Sequence, residues 1–273
     1  MIGIVRLPFN TCWDRVARAE AHRRALTEIW NGLDTDQIYT SIPKINDDGT
    51  GEFFIAPVKA DWVLPFSLQF GEFLYHLRGA MDSCVYDAAC LKFGQDPPPD
   101  EQKWNFPVCA SRSEFIDAVR RMKKLPNDVR CLIESVQPYS GATGTHSKER
   151  WEWDIGPVLA ILHDWARIDR HRRLNIVGTT PTEGNLRIDV SRGMTLEYCH
   201  FRTGIVLESE SKIADFKIAN YRRDAELHFQ PKFVFNITVD EPPRSLLQDV
   251  SMAMILSVQV VRQIFEKHFG ITR

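Results

Sequence analysis

No two of the six cysteines in this 273-residue chain form a C-x-x-C pair. Cys12, Cys84, Cys90, Cys109, Cys131 and Cys199 are scattered singly. That excludes zinc-ribbon and thioredoxin-type spacings and predicts free thiols in a reducing cytoplasm. No apolar run reaches the length of a membrane span; the most apolar stretch lies near Met252–Val261. The opening MIGIVRLPFN carries too short an apolar stretch, with an arginine inside it, to read as a signal peptide. Neither sign of charge dominates, because the net charge is −2. No strong field therefore favours nucleic acid or an anionic membrane. The G-x-S-x-G, H-E-x-x-H and Rossmann glycine patterns are missing, and GATGTHSK lacks the spacing of a phosphate loop.

What is present is ordinary for a globular protein, with 44% hydrophobic and 26% charged residues. Apolar residues at helical spacing (Trp13, Val16, Leu26, Ile29) predict a helix over 11–31, stopped by Gly32. Its other face is basic and reads as solvated. Two β-rich runs around NDDGTG predict a hairpin. A long helix over 66–91 shows a stripe of Phe70, Leu74, Leu77, Met81, Cys84, Val85 and Ala88. The proline run in GQDPPPDEQKWNFP predicts an extended loop. Short helices follow near 113–122 and 127–135, then a polar loop through SGATGTHSKERWEWD, then a helix over 155–174.

From 175 to 241 the texture alternates, which predicts an antiparallel meander of four to six strands. A C-terminal helix, about 244–269, carries Leu247, Val250, Met254, Val258, Val261 and Phe265 on one stripe. The fold class expected is α+β in a single domain, 1–273. It comprises a helical bundle (about 10–174 and 244–269), an N-terminal β-hairpin, and an antiparallel β-meander inserted before the C-terminal helix. Met252, Met254 and Ile255 widen the apolar sector of the last helix, which predicts a homodimer through it.

The polar feature that stands out is HDWARIDRHRRL, which follows directly on the apolar IGPVLAIL. At about 100° per residue, Asp169 and Arg172 fall in the sector of Val158, Ile161, Leu162, Trp165 and Ile168. His163, Arg167 and Arg170 fall elsewhere, and His171 lies at the boundary. On the 66–91 helix, Arg78 and Asp82 sit four apart at the edge of the apolar stripe, able to pair with each other. Charges leaning inward need partners. The economical expectation is a cross-helix set of Arg78 with Asp169 and Asp82 with Arg172. The polar cluster Arg78, Asp82, Asp169, His171 and Arg172 is then either a structural joint or a binding site.

These residues carry a resemblance. YHLRGAMDSCVYDA and IDRHRRL, with QPY between them, resemble a family of bacterial and phage-borne proteins. Its members read L-R-S-A-L-D-H in one helix and D-K-H-R in a later one. Leu77, Arg78, Ala80, Met81 and Asp82 match the first motif, and Asp169, His171 and Arg172 the second. Gly79 stands for the serine, Ser83 for the histidine and Arg170 for the lysine. The resemblance implies a fold rather than an activity.

Two function classes follow. The leading expectation is an accessory or interaction protein of bacterial or phage type, with no self-contained catalytic centre and no cofactor. The alternative is a HEPN-like ribonuclease acting on RNA, whose R-x(4–6)-H motif is best matched by Arg262 and His268 on the last helix. Eight histidines among many arginines make about two such matches by accident, and four occur. Glu72 and His76, four apart, with His163 from another helix, form an incomplete metal set, so no metal is assigned.

Overall fold

The computed structural model describes residues 7–33, 39–58, 61–122, 125–146, 151–171, 176–191, 193–202, 210–239 and 247–271. The architecture is α+β. Among the described residues the helices are α1 (Asn10–Asn31), α2 (Val63–Phe93), α3 (Arg112–Arg120), α4 (Asn127–Glu134), α5 (Ile155–His171) and α6 (Leu247–His268). The strands are β1 (Tyr39–Ile45), β2 (Thr50–Pro57), β3 (Thr143–His146), β4 (Trp151–Asp154), β5 (Ile176–Val190), β6 (Thr195–Phe201), β7 (Ser211–Ala219) and β8 (Leu227–Val239).

The chain divides into two compact units. One holds residues 1–28, 66–174 and 249–273, and the other 29–65 and 175–248. The change of texture at 174/175 thus marks a real boundary, and the N-terminal hairpin belongs with the β unit.

In the helical unit every residue of the predicted α2 stripe is fully buried, from Phe70 to Ala88. Burying one such side chain stabilises by about 1.5–3 kcal/mol, so this helix is the spine of the unit. Val16 and Leu26 of α1, Leu159, Leu162 and Trp165 of α5, and Met254, Val258, Val261 and Phe265 of α6 are buried as well. Met254 and Ile255 are consumed by the subunit's own core, so the surplus apolar face behind the homodimer expectation is reduced to the half-buried Met252.

The proline-rich segment is fastened rather than loose. Trp104 and Phe106 are buried, and Gln137, the glutamine of QPY, is fully buried. Gln137 accepts from the Cys109 N–H (2.9 Å) and donates to the Pro107 carbonyl (2.9 Å). The segment expected as a polar loop pairs instead as the hairpin β3–β4. The reason is Trp153, which is buried and donates its indole N–H to the Ser257 hydroxyl at 2.8 Å.

In the β unit the strand order is β1-β2-β7-β6, all antiparallel, with β5 and β8 forming a separate two-stranded ribbon. This corrects the simple meander: the N-terminal hairpin joins the sheet through β2–β7, and the runs AELHF and KFVFNITV fuse into β8 across Pro231. Proline is tolerated there because each strand of a two-stranded ribbon has an open edge, and Pro43 likewise sits on the edge strand β1. Phe53, Ile55, Ile213, Phe216 and Ile218 make the core, with Leu186 and Ile188 of β5. No helix among the described residues is long and apolar enough to cross a membrane.

Candidate functional site

One face of α2 is the floor of a groove of about 570 Å³ within the helical unit. Leu68, Gly71, Glu72, Tyr75, Arg78, Gly79, Asp82, Ser83 and Tyr86 recur at helical spacing along it. Thr11 and Arg15 of α1 line it, as do Ala166, Asp169 and Arg170 of α5. Three members of the predicted cluster, Arg78, Asp82 and Asp169, therefore meet in one place. Arg172 lies outside the described residues, and of His171 only the backbone is described.

The pairing differs from the expected one. Arg78 does not bridge to Asp169. It donates to Asp82 Oδ1 at 2.7 Å, one turn along its own helix, and to the Phe106 carbonyl at 2.6 Å. Asp82 Oδ1 also accepts the Phe106 N–H at 2.8 Å. The pair is thus closed on both sides by the backbone of Phe106, which leaves the cation no reason to cross to α5. Burial pulls the Arg78 guanidinium below its ordinary value, against the field of Asp82. This ring holds the proline-rich segment against α2. Behind it lies a second cavity of about 670 Å³, lined by Arg78, Phe106, Arg121 and His163. Burial, then the field of Arg78, pushes the His163 imidazole down, and its Nδ1 meets no partner among the described residues. His163 is accordingly turned away from Glu72 and His76, and the metal set weighed from sequence is not assembled with it.

Two glycines shape the groove. A Cβ on Gly71 would lie 2.7 Å from Asp169 Oδ2, and a Cβ on Gly79 would lie 2.4 Å from Arg15 Nη1. Each glycine is a notch that admits a charged side chain from a flanking helix, Asp169 from α5 and Arg15 from α1. Neither charge meets an opposite one among the described residues. Arg15 lies over the Tyr75 ring, 5.5 Å from its centroid. Asp169 has burial and the neighbouring Glu72 raising its pKa above the ordinary aspartate value. Sequence reasoning singled out Asp169 but missed Arg15. The available signal was the two glycines inside a strong helical pattern, eight residues apart and thus on one side of the helix.

Adjoining the groove, Glu72 belongs to a second set. His22 of α1 and His76 of α2 stack with ring centroids 5.4 Å apart. One potential ligand atom from each of His22, Glu72 and His76 lies within 4.8 Å of the others. His22 Nδ1 sits 2.5 Å from Gln69 Oε1. An amide oxygen only accepts, so Nδ1 carries the proton and leaves Nε2 its lone pair. His76 Nδ1 is buried and meets no hydrogen-bond partner among the described residues.

The ribonuclease pair is differently employed. Arg262 is 4% exposed, lies 3.1 Å from the centroid of the Trp13 ring and pairs with Glu266 at 3.3 Å. His268 is bonded to Asp128 at 3.0 Å. Hydrogen bonds from Lys92 and His268 hold the Asp128 carboxyl down at about 2. Arg262 is part of the interior of the bundle. Comparison with protein-family models, with curated proteins and with solved structures finds no match.

Proposed function

We propose that this chain works by binding, as an accessory protein of the bacterial or phage type it resembles, and that the α2 groove is where it binds. The observation that carries this reading is the pair of notched charges. Arg15 of α1 and Asp169 of α5 line one groove, each without a counter-ion among the described residues. Gly71 and Gly79 are eight residues apart, which is about 12 Å along a helix. The ligand that satisfies both charges is elongated and dipolar, with a cationic group toward Asp169 and Glu72 and an anionic group toward Arg15. A groove of about 570 Å³ suits a small molecule or a short peptide. Nothing in it resembles an activated nucleophile. The Ser83 hydroxyl is spent on the Gly79 carbonyl at 2.8 Å, and among the described residues no histidine lines the groove.

Unblocked peptides of two to six residues test the reading, since an extended peptide spans about 3.3–3.6 Å per residue. Peptides of three or four residues should perturb the amide spectra of groove residues most. Arg15→Ala, Asp169→Asn, or blocking the peptide termini should abolish the effect. Equal binding of blocked and unblocked peptides, or no perturbation at all, removes the reading. Assembly and location belong to the same proposal. A homodimer through α6 would show twice the 31.5 kDa chain mass by light scattering, and a cytoplasmic setting is what the free cysteines suit.

A further inference from the structure

The stacked histidine pair at the edge of the groove has chemistry that the groove does not use. Glu72 and His76 are four apart on α2, so both project from one face of the helix, and His22 meets them from α1. Two imidazoles and one carboxylate are a ligand set for borderline divalent ions. It is too nitrogen-rich and too poor in oxygen for calcium or magnesium, which take six or more oxygens. No thiol of the chain joins this set, so a copper(I) or iron–sulfur site is not indicated.

We propose that His22, Glu72 and His76 bind one zinc-like divalent ion, with at least one coordination position left open. Zinc bonds of about 2.0–2.2 Å place tetrahedral ligand atoms roughly 3.4 Å apart. The three present atoms lie within 4.8 Å, so side-chain rotations of about an ångström close the set. Three features favour this over a plain helix contact. Gln69 holds His22 by Nδ1, the arrangement in which a ligating histidine donates its other nitrogen and aims the free one at the ion. His76 carries a buried ring nitrogen without a hydrogen-bond partner among the described residues. Glu72 is exposed, so an ion can reach the site without opening the fold. Arg15 and Arg18 act on His76 as well and oppose a second positive charge, which sets the affinity below that of a closed four-ligand structural site. Glu72 also lines the groove, but neither histidine does, and the ion site rests on the His22–Glu72–His76 geometry rather than on what the groove binds.

Cobalt(II) is the probe, added to the metal-free 273-residue chain and followed by visible absorption, with zinc(II) displacement as the second step. Visible bands should saturate at one equivalent and disappear on adding zinc. Glu72→Gln alters an exposed side chain and should leave the fold intact while weakening binding strongly. Gln69→Ala should weaken it about 10–100-fold, as loss of an orienting partner does. Cys131→Ser should change nothing. Three results overturn the proposal: no visible bands, a near-ultraviolet thiolate charge-transfer band that Cys131→Ser removes, or unchanged titration of Glu72→Gln. A peptide-binding failure leaves these titrations untouched, so the two readings fail separately.

Discussion

Removing the Asp82 carboxylate should destabilise the helical unit by about 2–3 kcal/mol. The figure comes from the ring around Phe106. Asp82→Ala deletes a charge-assisted bond to Arg78 and the bond from the Phe106 N–H. Such bonds contribute about 1.5–3 and about 0.5–1.5 kcal/mol respectively. Stranding a fully buried partner costs about 3–5 kcal/mol. Here the Asp82 side chain is 37% exposed while that of Arg78 is 11% exposed. Water can therefore reach the vacated space, and the lower part of that range applies. At roughly 2–4 °C per kcal/mol for chains of this size, the melting temperature should fall about 4–12 °C. Urea denaturation gives the free energy, and hydrogen exchange at the Phe106 amide reports the local bond. Asp82→Asn keeps an acceptor for the amide and should lie between wild type and Asp82→Ala. Combined with Arg78→Ala, Asp82→Ala should show a coupling of about 1–3 kcal/mol, whereas Arg78→Ala with Asp169→Ala should be additive within about 0.5 kcal/mol. A loss under about 1 kcal/mol, or stronger coupling to Asp169 than to Asp82, would refute the reasoning.

Asp169→Asn should stabilise the protein at neutral pH and do nothing at low pH. The folded-state pKa is raised by burial and by Glu72, so the ionised carboxyl opposes folding. That penalty is absent below the unfolded aspartate value of about 3.9 and grows as pH rises through the folded one. Urea midpoints at pH 7 and pH 3 measure this, and a destabilised Asn variant at pH 7 would contradict it. Arg262→Ala should cost about 3–5 kcal/mol, because it removes a cationic partner of the buried Glu266 carboxylate, which the neutral Trp13 indole N–H does not replace, while His268→Ala at the helix end should cost under about 1. Thermal melts beside an RNA-cleavage assay separate the readings: a stable His268→Ala chain that loses a measured cleavage activity would favour the ribonuclease.

Periodicity made the helices legible. The α2 stripe follows from spacing alone because a fully buried face repeats on every turn, and the interior face of α6 follows likewise. The hairpin β1–β2 is declared by its turn residues. The pairing of β2 with β7 is not legible, because it joins Thr50–Ile55 to Ser211–Lys217 with no local mark at either end. A helical wheel also gives a direction without giving a partner. It turned Asp169 correctly toward α2, but the nearer acceptor and the Phe106 backbone captured Arg78 first. Arg15 lay hidden among the basic residues of α1, since nothing in its own helix says that a glycine faces it.

Gly79 stands where the resembling motif has serine, and its position in mid-helix carries a stability deficit of about 0.5–1 kcal/mol relative to alanine. A methyl group there would collide with the tip of a flexible guanidinium rather than with backbone, so the helix itself would absorb the change easily. Gly79→Ala is therefore a substitution that improves the scaffold while expelling Arg15 from the groove. Positions 15 and 79 are therefore expected to vary together. Sequences that place serine or alanine at the second position should carry a shorter or uncharged residue at the first. Screening this chain for thermal stability alone would select against the placement of Arg15 in the groove.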